Sequence, residues 1–86
     1  MRKKRKNLVS ALPVDFLYNL PVIEFTGNRR AVIEGSTGVL RYSEDNVKIK
    51  TRKYILSFSG RGLRIKCISP TCVIVEGFIL DFEFII

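Results

Sequence analysis

Histidine and tryptophan are absent from the 86 residues, methionine occurs once, and there are only three prolines and two cysteines. Without histidine, the commonest general base and the commonest neutral nitrogen ligand for a metal are both missing. Cys67 and Cys72 are too few for a disulfide framework and lack the spacing partners of a zinc site. Nothing resembles a nucleophile elbow or a phosphate loop. Gly60-Arg61-Gly62 is too short for a dinucleotide fingerprint and lies between strand patterns, not before a helix. Glu24, Glu34, Glu76 and Glu83 are dispersed, as solvated strand-face carboxylates usually are. No apolar stretch approaches the roughly 20 residues that span a bilayer. Leu8, Val9, Ala11 and Leu12 follow a basic run, but Pro13 and Asp15 end that stretch early and no small-residue cleavage pattern follows. These absences argue against an enzyme, a cofactor and a metal, and for a cytoplasmic, non-catalytic protein.

What is present is alternation. Val47, Ile49 and Thr51 alternate with Lys48, Lys50 and Arg52; Leu56 and Phe58 with Ser57 and Ser59; Leu63, Ile65 and Cys67 with Arg64 and Lys66. A period of two puts one set on each face of a pleated strand. One face is therefore apolar and the other basic or hydroxylated. Val47, Ile49, Leu56, Phe58, Leu63, Ile65 and Phe82 are the expected core. Cys67 continues that register as a small buried hydrophobe, and Cys72, opening the next apolar run, reads the same way. A one-sided sheet needs a cover: its own helix, a second sheet, or another copy in a homo-oligomer.

In chain order, residues 1–7 are a basic arm and residues 8–20 a short helical lead-in. Pro13 suits a first helical position, and Val14, Leu17 and Tyr18 fall at i, i+3, i+4 within Val14–Asn19. Residues 21–86 form a single β domain. Strands are expected at Val22–Thr26, Arg30–Glu34, Val39–Ser43, Val47–Thr51, Ile55–Ser59, Leu63–Ile68, Cys72–Glu76 and Phe78–Ile85. Gly27-Asn28 provides a tight hairpin and Glu44-Asp45-Asn46 an Asx-rich turn. Gly60 and Gly62 are expected to reverse the chain, and Gly77 to separate the last two strands. In the last strand, Phe78, Leu80, Phe82 and Phe84 share the inward parity, with Asp81 and Glu83 outward, placed to select pairing against the basic faces. Connections this short exclude helical crossovers. The fold class is mainly β: an antiparallel meander of about seven or eight short strands after one helix. The near-constant strand spacing also allows a small solenoid-like coil.

The net charge is +7; Arg2, Lys3, Lys4, Arg5 and Lys6 supply five, which leaves +2 for the rest. Those five residues are the candidate contact for an anionic surface, phospholipid or nucleic acid. Specific nucleic-acid binding on the sheet is disfavoured, because Phe58, Phe78, Phe82 and Phe84 take the parity opposite to the Lys/Arg set, and stacking needs rings among the cations. Only Tyr42 and Tyr54 are left over.

The strand region resembles the YabP/YqfC family of sporulation proteins of endospore-forming bacteria, most closely its YqfC branch. The resemblance runs through Leu20-Pro21-Val22-Ile23-Glu24-Phe25-Thr26-Gly27-Asn28-Arg29-Arg30, Ile33-Glu34 and Gly38-Val39-Leu40-Arg41-Tyr42-Ser43. It continues through Val47–Thr51, Leu56-Ser57-Phe58-Ser59-Gly60, Leu63-Arg64-Ile65 and Val73-Ile74-Val75-Glu76-Gly77. Pro13 and the short helix also fit. Tyr54 departs from the pattern, standing where a glycine is expected to enter the central strand. The resemblance implies a non-enzymatic role in spore envelope (cortex or coat) formation in the mother cell. It also implies a membrane-bound sporulation protein as partner, with this chain cytoplasmic or peripheral to the membrane.

Overall fold

The computed structural model describes residues 20–86. The basic arm and the helix expected over Val14–Asn19 lie outside the described residues. All regular elements within them are strands: β1 (Val22–Thr26), β2 (Arg30–Glu34), β3 (Ser36–Tyr42), β4 (Asn46–Thr51), β5 (Ile55–Ile68) and β6 (Cys72–Ile85). They form one sheet in the order β1-β2-β6-β5-β4-β3. Every pairing is antiparallel, which rules out a solenoid-like coil.

Among the described residues there are six strands, not seven or eight, because the glycines expected to separate the later strands bend them instead. Ile55–Ser59 and Leu63–Ile68 are two halves of the 14-residue β5, and Cys72–Glu76 and Phe78–Ile85 two halves of the 14-residue β6. At the bend the two backbones lie in contact. A Cβ on Gly60 would sit 1.8 Å from the Phe78 carbonyl oxygen, and one on Gly77 2.6 Å from that of Gly62. Only a residue without Cβ permits this approach. Gly62 and Gly77 also hold positive φ angles of 58° and 136°.

The bend divides the sheet into two layers. The first contains β1, β2, the N-terminal half of β6 and the C-terminal half of β5. The second contains β3, β4, the N-terminal half of β5 and the C-terminal half of β6. Gly35 alone joins β2 to β3, although these strands are not sheet neighbours. The chain changes layer there, with φ at 96° and the Gly35 N–H donating to the Thr71 carbonyl at 2.8 Å. Two of the hairpin turns, β1–β2 and β3–β4, are tied to the bend. The carbonyls of Asn28 and Arg29 accept from Ile79 (2.8 Å) and Gly77 (3.1 Å); those of Glu44 and Asp45 accept from Leu63 (2.8 Å) and Gly60 (3.1 Å). The layers face one another: the Phe25 ring of β1 is 6.2 Å from that of Phe58 in β5, and the Tyr42 Oη of β3 accepts from the Ile65 N–H at 3.2 Å. These contacts join strands that the hydrogen-bonded order keeps apart. The cover for the apolar face is thus the other half of the same sheet.

The core draws on both layers. Ala31, Ile33, Leu63, Val73 and Val75 meet Val47, Ile49, Leu56 and Phe58, all but fully buried. Ile65 and Phe82 pack against this cluster partly buried. Along β4 the alternation is as read from the sequence, with Val47, Ile49 and Thr51 inside, Lys48 half-buried and Lys50 exposed.

Elsewhere, register shifts change the parity. Ser59 pairs with Asp81 and Gly60 with Ile79, so Leu80 is an extra residue on β6. Across such a bulge the facing of side chains flips. Ile79 and Phe82 therefore both point inward, while Phe78 and Leu80 are 50% and 63% exposed, contrary to the uniform inward parity expected for that strand. A second shift, between Ile65 and Cys67, carries Cys67 to the outer face opposite Ile74. Cys67 is exposed and Cys72 half-buried, and both are free thiols, so neither is the buried hydrophobe expected. Tyr54 closes a tight turn in which its N–H donates to Thr51 Oγ1 (2.9 Å) and its carbonyl accepts from the Thr51 N–H (2.9 Å) and hydroxyl (2.7 Å). Its ring packs edge-on against Phe84 at 5.2 Å.

Gly60→Ala is expected to lower unfolding stability by at least about 2 kcal/mol through backbone overlap. At Gly38 an added Cβ meets nothing within 4 Å. Gly38→Ala is expected to stay within about 0.5 kcal/mol of the parent. Urea titrations of both variants check this, and equal losses would refute the close-packed bend. Cys67 is also expected to be alkylated by a maleimide in the folded state faster than Cys72.

Candidate interaction surfaces

No group of three or more Cys, Asp or Glu side chains converges as a metal site among the described residues. A hollow of about 330 Å³ lies at the Gly35 crossing between Ser36, Thr37, Arg52 and Thr71. It offers one cation and two kinds of hydroxyl, with no carboxylate or thiol to act as acid, base or nucleophile. What the fold does build is surface.

The outer face of the second layer is graded in charge. Arg41 of β3 is opposite Lys48 of β4, Lys48 opposite Ser57 of β5, and Ser57 opposite Glu83 of β6; Ser59 faces Asp81 in the next row. Cations therefore gather at the β3–β4 edge and carboxylates at the β6 edge, with serines between. The acids of β6 do not pair directly with Lys48 and Lys50, as the sequence reading expected, because β5 intervenes. The direct cross-strand pair belongs to the first layer. Arg30 Nε lies 3.1 Å from Glu76 Oε2, and Arg64 stands opposite Glu76 on its other side. On that outer face Val32 and Ile74, half-buried, form an apolar row with the exposed Cys67.

Phe78 also needs reassignment. It faces outward beneath the Arg29 guanidinium, 4.3 Å from the ring centroid, and lies opposite Arg61. One ring thus sits among cations, where none was expected; it is a single stacked pair, and the other three phenylalanines stay on the Phe25 side.

The third surface is a seam between β1 and the C-terminal half of β6. Phe25 reaches Phe82 ring to ring at 5.3 Å, and Phe82 reaches Phe84 at 4.9 Å. At one end, Leu20, Pro21, Ile23, Tyr54, Phe84 and Ile86 line an apolar groove of about 290 Å³. Phe25 and Phe84 remain 45% and 47% exposed. Beyond Ile79, the β6 edge facing β1 has no backbone partner among the described residues. Alternation could not reveal this seam, because parity separates the two faces of a strand but not a central strand from an edge. Arg2, Lys3, Lys4, Arg5 and Lys6, the candidate anionic-surface contact, lie outside the described residues.

The YabP family matches residues 20–85, from the start of the seam to the end of β6. The chain belongs to the YabP family. It is also 31% identical over 83 residues to the uncharacterized protein YqfC of Bacillus subtilis (strain 168), covering 88% of this chain and 89% of that protein. No solved structure matches it. The YabP match takes in all six strands, both layers and the glycine bend, so the family unit here is the whole folded-over sheet. No helix among the described residues is long and apolar enough to cross a membrane.

The Arg30–Glu76 pair is partly exposed, with side-chain accessibilities of 45% and 23%. Its coupling in a double-mutant cycle with Arg30→Ala and Glu76→Ala is expected at about 0.2–1 kcal/mol, shrinking in high salt. A coupling that salt leaves unchanged would refute this screened-pair description.

Proposed function

We propose that this YabP-family chain is a non-enzymatic sporulation protein, an assembly module acting in formation of the spore envelope, its cortex or coat. It works in the mother-cell cytoplasm, at the periphery of a membrane, and its partner is a membrane-bound sporulation protein. The observation that carries the reading is the family match across the entire sheet. Its chemistry is compatible with association: side chains for recognition are plentiful, and no metal-holding group converges among the described residues. Sheet-ending strands β1 and β3 each leave one edge without a strand neighbour among the described residues, and such edges can accept a strand from another chain.

A second reading has an observation of its own. Arg41, Lys48 and Lys50 gather on one edge, the same sign as Arg2, Lys3, Lys4, Arg5 and Lys6. Together they form a binder for anionic phospholipid, each basic residue near such a surface adding about 1 kcal/mol.

Affinity capture from sporulating cells, with the tagged full chain as bait, tests the first reading. Retention of an integral membrane protein of the spore envelope is expected, and a monomer that retains no envelope component would sink it. Co-sedimentation with phosphatidylserine vesicles at low salt, with and without residues 2–6, tests the second. Loss of binding on removing the arm is expected; equal sedimentation would leave the arm a solubilising extension and reject that reading.

A further inference from the structure

We propose that the seam between β1 and β6 is the docking site of this chain's own residues 8–19, with residues 2–6 set against its acidic rim. The β6 edge changes character midway. Gly77 and Ile79 donate to the carbonyls of Arg29 and Asn28, whereas from Leu80 onward no described backbone group meets that edge. The same length of β6 carries Phe82 and Phe84, and β1 opposite carries Ile23 and Phe25. The seam thus presents both an unmade ladder and an apolar lining, the two features that strand or helix docking uses.

Three observations select the occupant. The chain enters the described region inside the groove itself, since Leu20 and Pro21 are part of its lining. Residues 8–19 are therefore tethered at the groove's mouth, and a short tether supplies an effective concentration on the order of millimolar. The tethered stretch is suited to the lining, with Leu8, Val9, Leu12, Val14, Phe16, Leu17 and Tyr18 among its twelve residues. Its reach when extended, about 40 Å, exceeds the roughly 17 Å length of the five-residue β1 beside the seam.

Charge supplies the third. Glu24, Asp81 and Glu83 are the only charged residues of β1 and of Ile79–Ile86, and all three are exposed. Five cations at positions 2–6 complement that rim. A second copy placed seam to seam would instead bring like carboxylates together, because an isologous contact sets the same patch against itself. The docked arm and an anionic membrane then compete for the same cations.

Hydrogen exchange on the full-length chain reads this directly. The parent is expected to be a monomer in which amides of Leu80–Ile85 on the β1 side are protected, to a degree independent of protein concentration. In the full-length triple variant Leu12→Ser, Phe16→Ser, Leu17→Ser, those amides are expected to exchange at least about tenfold faster, while the β4–β5 ladder keeps its protection. Seam protection that rises with concentration alongside a dimer in sedimentation would overturn the proposal in favour of a second copy. Unprotected seam amides in the parent, or protection unchanged in the triple variant, would overturn it outright. Loss of protection throughout the variant would be resolved with Asp81→Lys/Glu83→Lys, whose seam alone is expected to open; a seam unmoved by that charge reversal would also reject the proposal.

Discussion

Two backbones touching at a point hold this molecule in its shape. Where Gly60 lies on the Phe78 carbonyl and Gly77 on that of Gly62, the long β5–β6 ribbon is free to bend. Everything inside depends on that approach. A sheet that stayed open would leave Ile33, Val73 and Val75 on one stretch of apolar surface and Ile49, Leu56 and Phe58 on another, both against water. Folded over, each set becomes the other's cover. A domain of this size has little apolar surface to spare, and using both halves of one sheet as mutual lids needs no additional element. The β1–β2 and β3–β4 turns then brace the corner, each offering two carbonyls to amides that the bend has taken out of the main ladder.

Much of this was legible in the residues, and the rest was not for identifiable reasons. Val47, Ile49, Leu56 and Phe58 declared themselves by alternation, since β4 and the first half of β5 pair without a register shift. Cys67 and Phe78 misled because each lies next to a shifted register in β5–β6, and a single inserted residue inverts the parity of the strand beyond it. The glycines misled in a different way. A glycine that permits a reversal and one that permits a close crossing are alike in a sequence; what distinguishes them is the strand on the other side, which no local pattern contains. The acidic face of β6 was read correctly, but its neighbour was not, because pairing order is a long-range property.

Three surfaces of the described residues differ in kind. One outer face grades from cation to carboxylate, the other carries a narrow apolar row flanked by the Arg30–Glu76 pair, and the seam is the place where one edge of β6 has no strand neighbour among the described residues. The YabP family match covers the element that all three share, the bent six-stranded sheet, whose edges differ from one another in polarity and charge.

That difference gives the plate an electric moment. Arg41, Lys48 and Lys50 lie at one rim and Glu24, Asp81 and Glu83 at the other, so a uniform negative surface exerts a torque as well as a pull. Among the described residues that torque turns the β3–β4 rim toward the surface, over separations of about one Debye length, some 8 Å at physiological ionic strength, and the five cations at positions 2–6 oppose it wherever they sit against the β6 rim.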